Sequence, residues 1–172
     1  MELKLTFRKA EIEDTENIWK IIQEAIERRR IEGSRQWQDG YPDLESIKLD
    51  IQNKVGFVYV QGKIIIGYAA IIFEIEPAYE SIEGSWESSG SYAVVHRVAV
   101  SNDFVGKGIA SQLFLKVENF VKSKNIFTIK VDTNFDNIPM LKIFERLNYK
   151  YRGLVFFRGS ARQAFEKILT PQ

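Results

Sequence analysis

The chain has 172 residues, enough for one domain burying roughly 70% of its unfolded surface, and its 24 basic residues balance 23 acidic ones. That balance lacks the basic excess of a nonspecific nucleic-acid binder, and the absence of cysteine removes disulfides and thiol nucleophiles. A lone histidine, His96, argues against a metal site, and with neither a signal-like apolar core nor a membrane-length apolar run the chain reads as cytoplasmic, without a membrane partner.

Leu3–Arg8 alternates like a strand. Asp14 is placed to cap a helix with Ile18, Ile21, Ile22, Ala25 and Ile26 on one side, ending at Arg28-Arg29-Arg30, where cations suit the dipole. A loop with Trp37, Tyr41 and Pro42 precedes a second helix carrying Leu44, Ile47 and Ile51. Phe57–Val60 and Ile64–Ile75 read as strands joined in a hairpin at Gln61-Gly62. Glu76–Ser91 is a polar insertion, expected as a loop, and Tyr92–Val100 is the next strand. An amphipathic helix over Ile109–Lys124 and a strand over Phe127–Asp132 follow. Asn137–Leu147 presents Met140, Leu141, Phe144 and Leu147 on one helical face, and Tyr149–Phe157 with Arg162–Leu169 closes as a hairpin around Arg158-Gly159-Ser160. The order β-α-α-β-β-β-α-β-α-β-β predicts a mixed sheet flanked by helices in one α/β domain.

The run Val105-Gly106-Lys107-Gly108-Ile109-Ala110 carries the most chemistry. Two glycines let backbone approach a ligand closely, and the helix that follows offers amides and the positive end of its dipole to an anion such as a phosphate. A P-loop would need Ser or Thr after Gly-Lys, yet Gly108 stands there, and Ser101 replaces that motif's first glycine. The dinucleotide fingerprint fits Gly106-x-Gly108 and a following acid, Asp132. Ser111 in the third glycine position and the five residues between the strand and Gly106 count against it, which leaves an NAD-dependent oxidoreductase as the lesser alternative.

Val98–Ala110, with Asn137-x-x-Met140 and the turn Leu147-Asn148-Tyr149, resembles the Gcn5-related N-acetyltransferases (GNAT). Trp37–Pro42, His96–Val100 and Arg162–Leu169 are similar to a bacterial subgroup of small members of that family. The resemblance covers about residues 3–170 and implies a single N-acetyltransferase domain. Its fold is a mixed, mostly antiparallel sheet with a V-shaped splay, flanked by about four helices. It implies acetyl-CoA as cosubstrate, no metal, and transfer of the acetyl group to a primary amine of a small molecule or peptide by direct attack. A homodimer is left open. The backbone of Val98, Ala99 and Val100 would pair with the pantetheine arm, and Val98 N–H would meet the oxyanion. Val105, Gly106, Lys107, Gly108, Ile109 and Ala110 would hold the pyrophosphate, with Asn137, Met140 and Phe144 completing the cofactor-binding set.

Two positions depart from the family pattern. Val105 replaces the usual Gln or Arg, and Phe144 stands where a tyrosine commonly protonates the departing thiolate. Phenylalanine has no proton to give, which opens a second reading, a catalytically reduced acyl-CoA-binding module. Tyr149 and Tyr151 are candidate replacement acids. His96 is a candidate base because an imidazole is the side chain suited to proton transfer near neutral pH, and Glu83, Glu87, Asp132 and Asn134 are further candidates. From Ile64 to His96 there is no lysine or arginine but five glutamates, a rim that would attract a cationic amine. Trp37, Tyr41 and Trp86 lie in segments that border the acceptor cleft in the family, and serve equally well as core.

Overall fold

Alternating β-branched and aromatic residues dominate the central strands, whereas 3.6-residue apolar periodicity marks the helices, and the chain folds along that division. The computed structural model describes residues 3–171. In chain order the elements are β1 (Leu5–Lys9), α1 (Thr15–Ile31), α2 (Leu44–Gln52), β2 (Gly56–Gln61), β3 (Ile64–Ile72), α3 (Pro77–Glu80), β4 (Glu83–Gly84) and β5 (Ala93–Val100). They continue with α4 (Ile109–Ser123), β6 (Thr128–Thr133), α5 (Ile138–Arg146), β7 (Lys150–Phe157) and β8 (Ser160–Ile168). Short 3-10 turns occupy Ile12–Asp14 and Asn102–Phe104. Among the described residues the strands form a mixed eight-stranded sheet in the order β1-β2-β3-β5-β6-β8-β7-β4. The β5/β6 pair is parallel, while β1/β2, β2/β3, β6/β8, β7/β8 and β4/β7 are antiparallel.

The β5/β6 ladder joins Ala93 to Ile129 and Val94 to Lys130 and stops there, partway along β5. Farther along β5, Arg97 has φ +54°, a left-handed conformation rare for a non-glycine residue inside a strand. His96, Arg97 and Val98 are all half-buried, between buried residues on either side, so the usual one-in, one-out alternation is lost.

Contacts divide the chain into two compact units. The first runs to Ile71 and resumes over His96–Lys116. Its core joins Ile18, Ile21, Ile22 and Ala25 of α1 and Ile47 of α2 to Val58, Val60, Ile65 and Tyr68 of β2 and β3. The second comprises Ile72–Val95 and the chain from Val117 onward. There Tyr79, Tyr92, Val94, Val155 and Ala164 form a buried cluster, with Trp86 and Phe157 packed against it.

Three local expectations change. Asp14 does not cap α1: its carboxylate accepts from Glu11 N–H at 2.8 Å and from Arg8 at 2.7 Å, which turns it back toward β1. Strand β3 ends at Ile72, leaving Phe73–Ile75 exposed. The Glu76–Ser91 insertion is not a plain loop. Glu76 caps α3 by accepting from Ala78 N–H, with Pro77 at its first turn, and β4 pairs Glu83 with Leu154 and Gly84 with Gly153. Tyr79 is fully buried, and Trp86 Nε1–H donates to its carbonyl at 2.9 Å, so aromatic residues give this polar segment its anchor.

Candidate functional site

In the first unit, β5 hands the chain to the glycine loop through a clamped connection. Ser101 N–H donates to Ile66 O at 2.9 Å. Helix α1 then holds the 3-10 turn from the side: Glu24 accepts from Asn102 N–H at 2.7 Å, and Arg28 donates to Val100 O at 3.0 Å and to the Asn102 side chain. Val105–Gly108 turns sharply into α4, where Gln112 N–H makes a helical bond to Gly108 O. Helix geometry directs the amides preceding Gln112 toward the N-terminal end, the place that helices in general offer to an anion.

Gly106 and Gly108 have φ +78° and +77°, and a Cβ built on either meets no atom within 4 Å. The glycines therefore answer a conformational demand, not crowding, and the space above them is open. Val105, Gly106, Lys107 and Gly108 are exposed, Ile109 is buried and Ala110 half-buried. Lys107 Nζ lies 5.2 Å from the Phe104 ring, a cation on an aromatic face beside the loop.

A buried polar network abuts β5 in the same unit. Arg97 donates from Nε and Nη2 to the two oxygens of Asp50, at 2.8 and 2.5 Å, and from Nη1 to the hydroxyl of Tyr41. The Tyr68 hydroxyl donates to the same Asp50 at 2.6 Å. Burial opposes the charge on Arg97, but Asp50 and Tyr41 more than offset it and its pKa is raised. Burial and the neighbouring Asp50 charge push the Tyr68 hydroxyl far above the ordinary tyrosine value. Of the aromatic residues expected at the acceptor side, Tyr41 thus joins this network, whereas Trp37 packs partly buried on the first unit's core. His96 is half-buried, next in sequence to Arg97, and Val98, Ala99 and Val100 continue β5 toward the loop.

In the second unit, Asn137 caps α5 by accepting from Met140 N–H at 3.3 Å. Phe144 is 1% exposed, its ring 5.5 Å from that of Tyr149 and 5.0 Å from that of Phe165. The Tyr149 hydroxyl donates to Glu118 at 3.2 Å, and Lys167 donates to the same carboxylate at 2.8 Å. Burial, then the Glu118 charge, raises the Tyr149 pKa well above its ordinary value. Tyr151 is exposed beside Phe165.

The insertion candidates separate. Glu83 is exposed in the two-residue strand β4. Glu87 pairs with Arg152 while its N–H donates to the buried Glu166 at 2.8 Å. Ser88 Oγ adds a 2.5 Å bond to Glu166, so the segment is tied to β8. Trp86 lies over Lys130, whose Nζ is 4.5 Å from that ring and 3.9 Å from the Tyr92 ring; burial lowers the Lys130 pKa. Asp132 accepts from the Tyr79 hydroxyl at 2.6 Å, and Asn134 donates to Asp136 at 2.9 Å. Among the described residues no group of three or more His, Cys, Asp and Glu could hold a metal, and no helix is long and apolar enough to cross a membrane.

Sequence reasoning missed the Asp50–Arg97–Tyr68 cluster and the Glu24–Arg28 clamp. A signal existed for both. Asp50 stands three residues after Ile47, and Arg28 three after Ala25, so each places a charge on its helix's apolar side.

Comparison with known proteins adds to this geometry. A model of the acetyltransferase (GNAT) family matches residues 18–149. YesJ of Bacillus subtilis (strain 168), named an uncharacterized N-acetyltransferase, is 25% identical over 164 residues, covering 93% of this chain and 88% of its own. A GNAT-family acetyltransferase of Streptococcus agalactiae 2603 superimposes with a TM-score of 0.89 at 32% identity, over 99% of this chain and 98% of that one. One from Listeria monocytogenes 4b F2365 shares the fold at 19% identity, with a TM-score of 0.77 over 97% and 96% of the two chains.

Proposed function

Because the chain belongs to the acetyltransferase (GNAT) family, we propose that it uses acetyl-CoA to acetylate a primary amine of a small molecule or peptide by direct attack. The observation that carries this reading is the glycine loop: two left-handed glycines under open space, running into the N-terminus of a 15-residue helix. When bound, acetyl-CoA supplies the activated acetyl group. The amides from Gly106 to Ala110 hold its pyrophosphate, with Lys107 adding a positive charge. The exposed Val105 keeps a backbone role without adding a polar side chain. Val98, Ala99 and Val100 offer strand backbone to the pantetheine arm, and Val98 N–H supports charge developing on the carbonyl oxygen. Asn137 and Met140 set the start of α5, whose buried Phe144 packs the cofactor side.

The attacking amine must be neutral, and His96 is the base we assign to take its proton, with the exposed Glu83 second in line. Trp37 and Trp86 are assigned to the acceptor side through their partly exposed edges. We assign protonation of the departing thiolate to solvent water, because Phe144 has no hydroxyl and the Tyr149 hydroxyl donates its hydrogen bond to Glu118. The reaction tolerates that loss. A general acid contributes about 10²–10⁴-fold, and a coenzyme A thiol, near the cysteine pKa of about 8.5, is already a fair leaving group.

The test is release of free CoA thiol against a panel of primary amines. We expect release with at least one acceptor, reduced by His96→Ala. Phe144 favours a second reading, a catalytically reduced acyl-CoA-binding module. Tight acetyl-CoA binding with no thiol release for any acceptor would establish that one instead.

A further inference from the structure

We propose that Asp50, Arg97 and Tyr41, backed by Tyr68, form a positioning network that sets the backbone at His96–Val98 and ties the acceptor-side loop of residues 32–43 to it. The inference rests on the acyl-transfer reading, in which Val98 N–H faces the developing oxyanion.

The peptide plane that aims Val98 N–H is the one joining Arg97 to Val98, so the backbone angles of Arg97 help orient that donor. Arg97 sits at φ +54°, a conformation that arginine adopts only when its surroundings impose it. Those surroundings are on hand. The guanidinium fork meets both oxygens of Asp50 at 2.8 and 2.5 Å, a two-point contact that fixes direction as well as distance. The Tyr68 hydroxyl, at 2.6 Å from Asp50, holds the carboxylate in turn. The third guanidinium nitrogen donates to Tyr41, whose ring centroid is 5.9 Å from the Arg97 Cζ.

Each partner comes from a separate element: Asp50 from α2, Tyr68 from β3, Tyr41 from the loop preceding α2. Both charged side chains are at most 10% exposed. A buried ion pair is weak evidence of stabilisation, since hydrophobic replacements of equal volume often do as well. Its geometric use is stronger here. The pair holds a strand residue in a left-handed conformation, and the same guanidinium fastens the loop to it. Acceptor binding on that loop and the direction of Val98 N–H thereby depend on one contact set.

The experiment compares wild type with Tyr41→Phe and Arg97→Lys. Lysine keeps the charge but cannot fork. Steady-state thiol release gives kcat and KM, calorimetry gives CoA affinity, and hydrogen exchange follows the amides of residues 96–98. We expect kcat to fall about 10-fold or more in both variants, within the range that a misplacement near 1 Å produces. CoA affinity stays within about twofold, and exchange at 96–98 quickens in Tyr41→Phe although the substitution lies in another segment. Tyr41→Phe deletes one hydroxyl from a half-buried residue and so keeps the test valid if Arg97→Lys misfolds. The proposal is overturned if Tyr41→Phe leaves both kcat and the 96–98 exchange at wild-type values, or if kcat falls only in proportion to CoA affinity. Should wild type release no thiol with any amine, the acyl-transfer reading fails by itself. The exchange arm then decides the network.

Discussion

Replacing Gly108 separates the phosphate-loop assignment from ordinary loop strain. With φ +77° and no atom within 4 Å of an added Cβ, the position offers a side chain room but the wrong backbone. For an L-residue the left-handed conformation costs about 1–2 kcal/mol. In the free protein an exposed loop relieves that cost by relaxing to another conformation. A bound pyrophosphate needs the original one, so the cost reappears as lost affinity. At about 1.4 kcal/mol per tenfold, Gly108→Ala should weaken CoA binding roughly 5- to 30-fold. Gly108→Val should lose more, since β-branching restricts the backbone further. The control is Gly159, in the β7–β8 turn with φ +75° and equally open space. Gly159→Ala carries the same conformational penalty and should appear in urea unfolding while leaving CoA affinity unchanged. Calorimetric titration with CoA reads all three variants. Wild-type affinity in Gly108→Val, or an equal loss in Gly159→Ala, would refute the placement of the pyrophosphate.

Three further outcomes follow from other contacts. Arg28→Met removes the donor that holds Val100 O and Asn102 beneath the loop, and should raise the acetyl-CoA KM several-fold while leaving the amine KM unchanged in steady-state thiol assays. Phe144→Tyr adds a hydroxyl to a ring packed between Tyr149 and Phe165; left without a partner it should cost about 1–3 kcal/mol in urea unfolding, and unchanged stability would mean that site has polar room. Burial lowers the Lys130 pKa, so below the unfolded value of about 10.4 the unfolded chain binds more protons and native stability rises with pH through that window. Lys130→Met lacks this gain. Its stability relative to wild type, from thermal melts between pH 8 and pH 10.5, should therefore decline as pH rises, and a flat difference would contradict the assignment.

What the sequence disclosed, and what it hid, divides by the range of the interactions involved. The glycine loop was legible because φ +78° and +77° are demands met within one residue, and glycine meets them alone. Helices α1, α4 and α5 were legible because apolar spacing repeats within each segment. The insertion was not. Its polar composition concealed that Tyr79 is buried through Asp132, 53 residues away, and that Glu87 and Ser88 are held by Glu166. Aromatic residues carried the same ambiguity, since Tyr41 and Trp86 look alike as pocket walls or packing groups until a partner is named. Arg97 marks the limit most clearly. In a run of β-formers nothing local predicts a left-handed arginine; its conformation follows from Asp50 on α2 and Tyr41 in the preceding loop. The cradle proposed to bind CoA is therefore encoded locally, whereas the backbone proposed to be aimed for chemistry is held by contacts far apart in sequence. Substitutions at the loop glycines should act chiefly on affinity, and substitutions in the Asp50–Arg97 network chiefly on turnover.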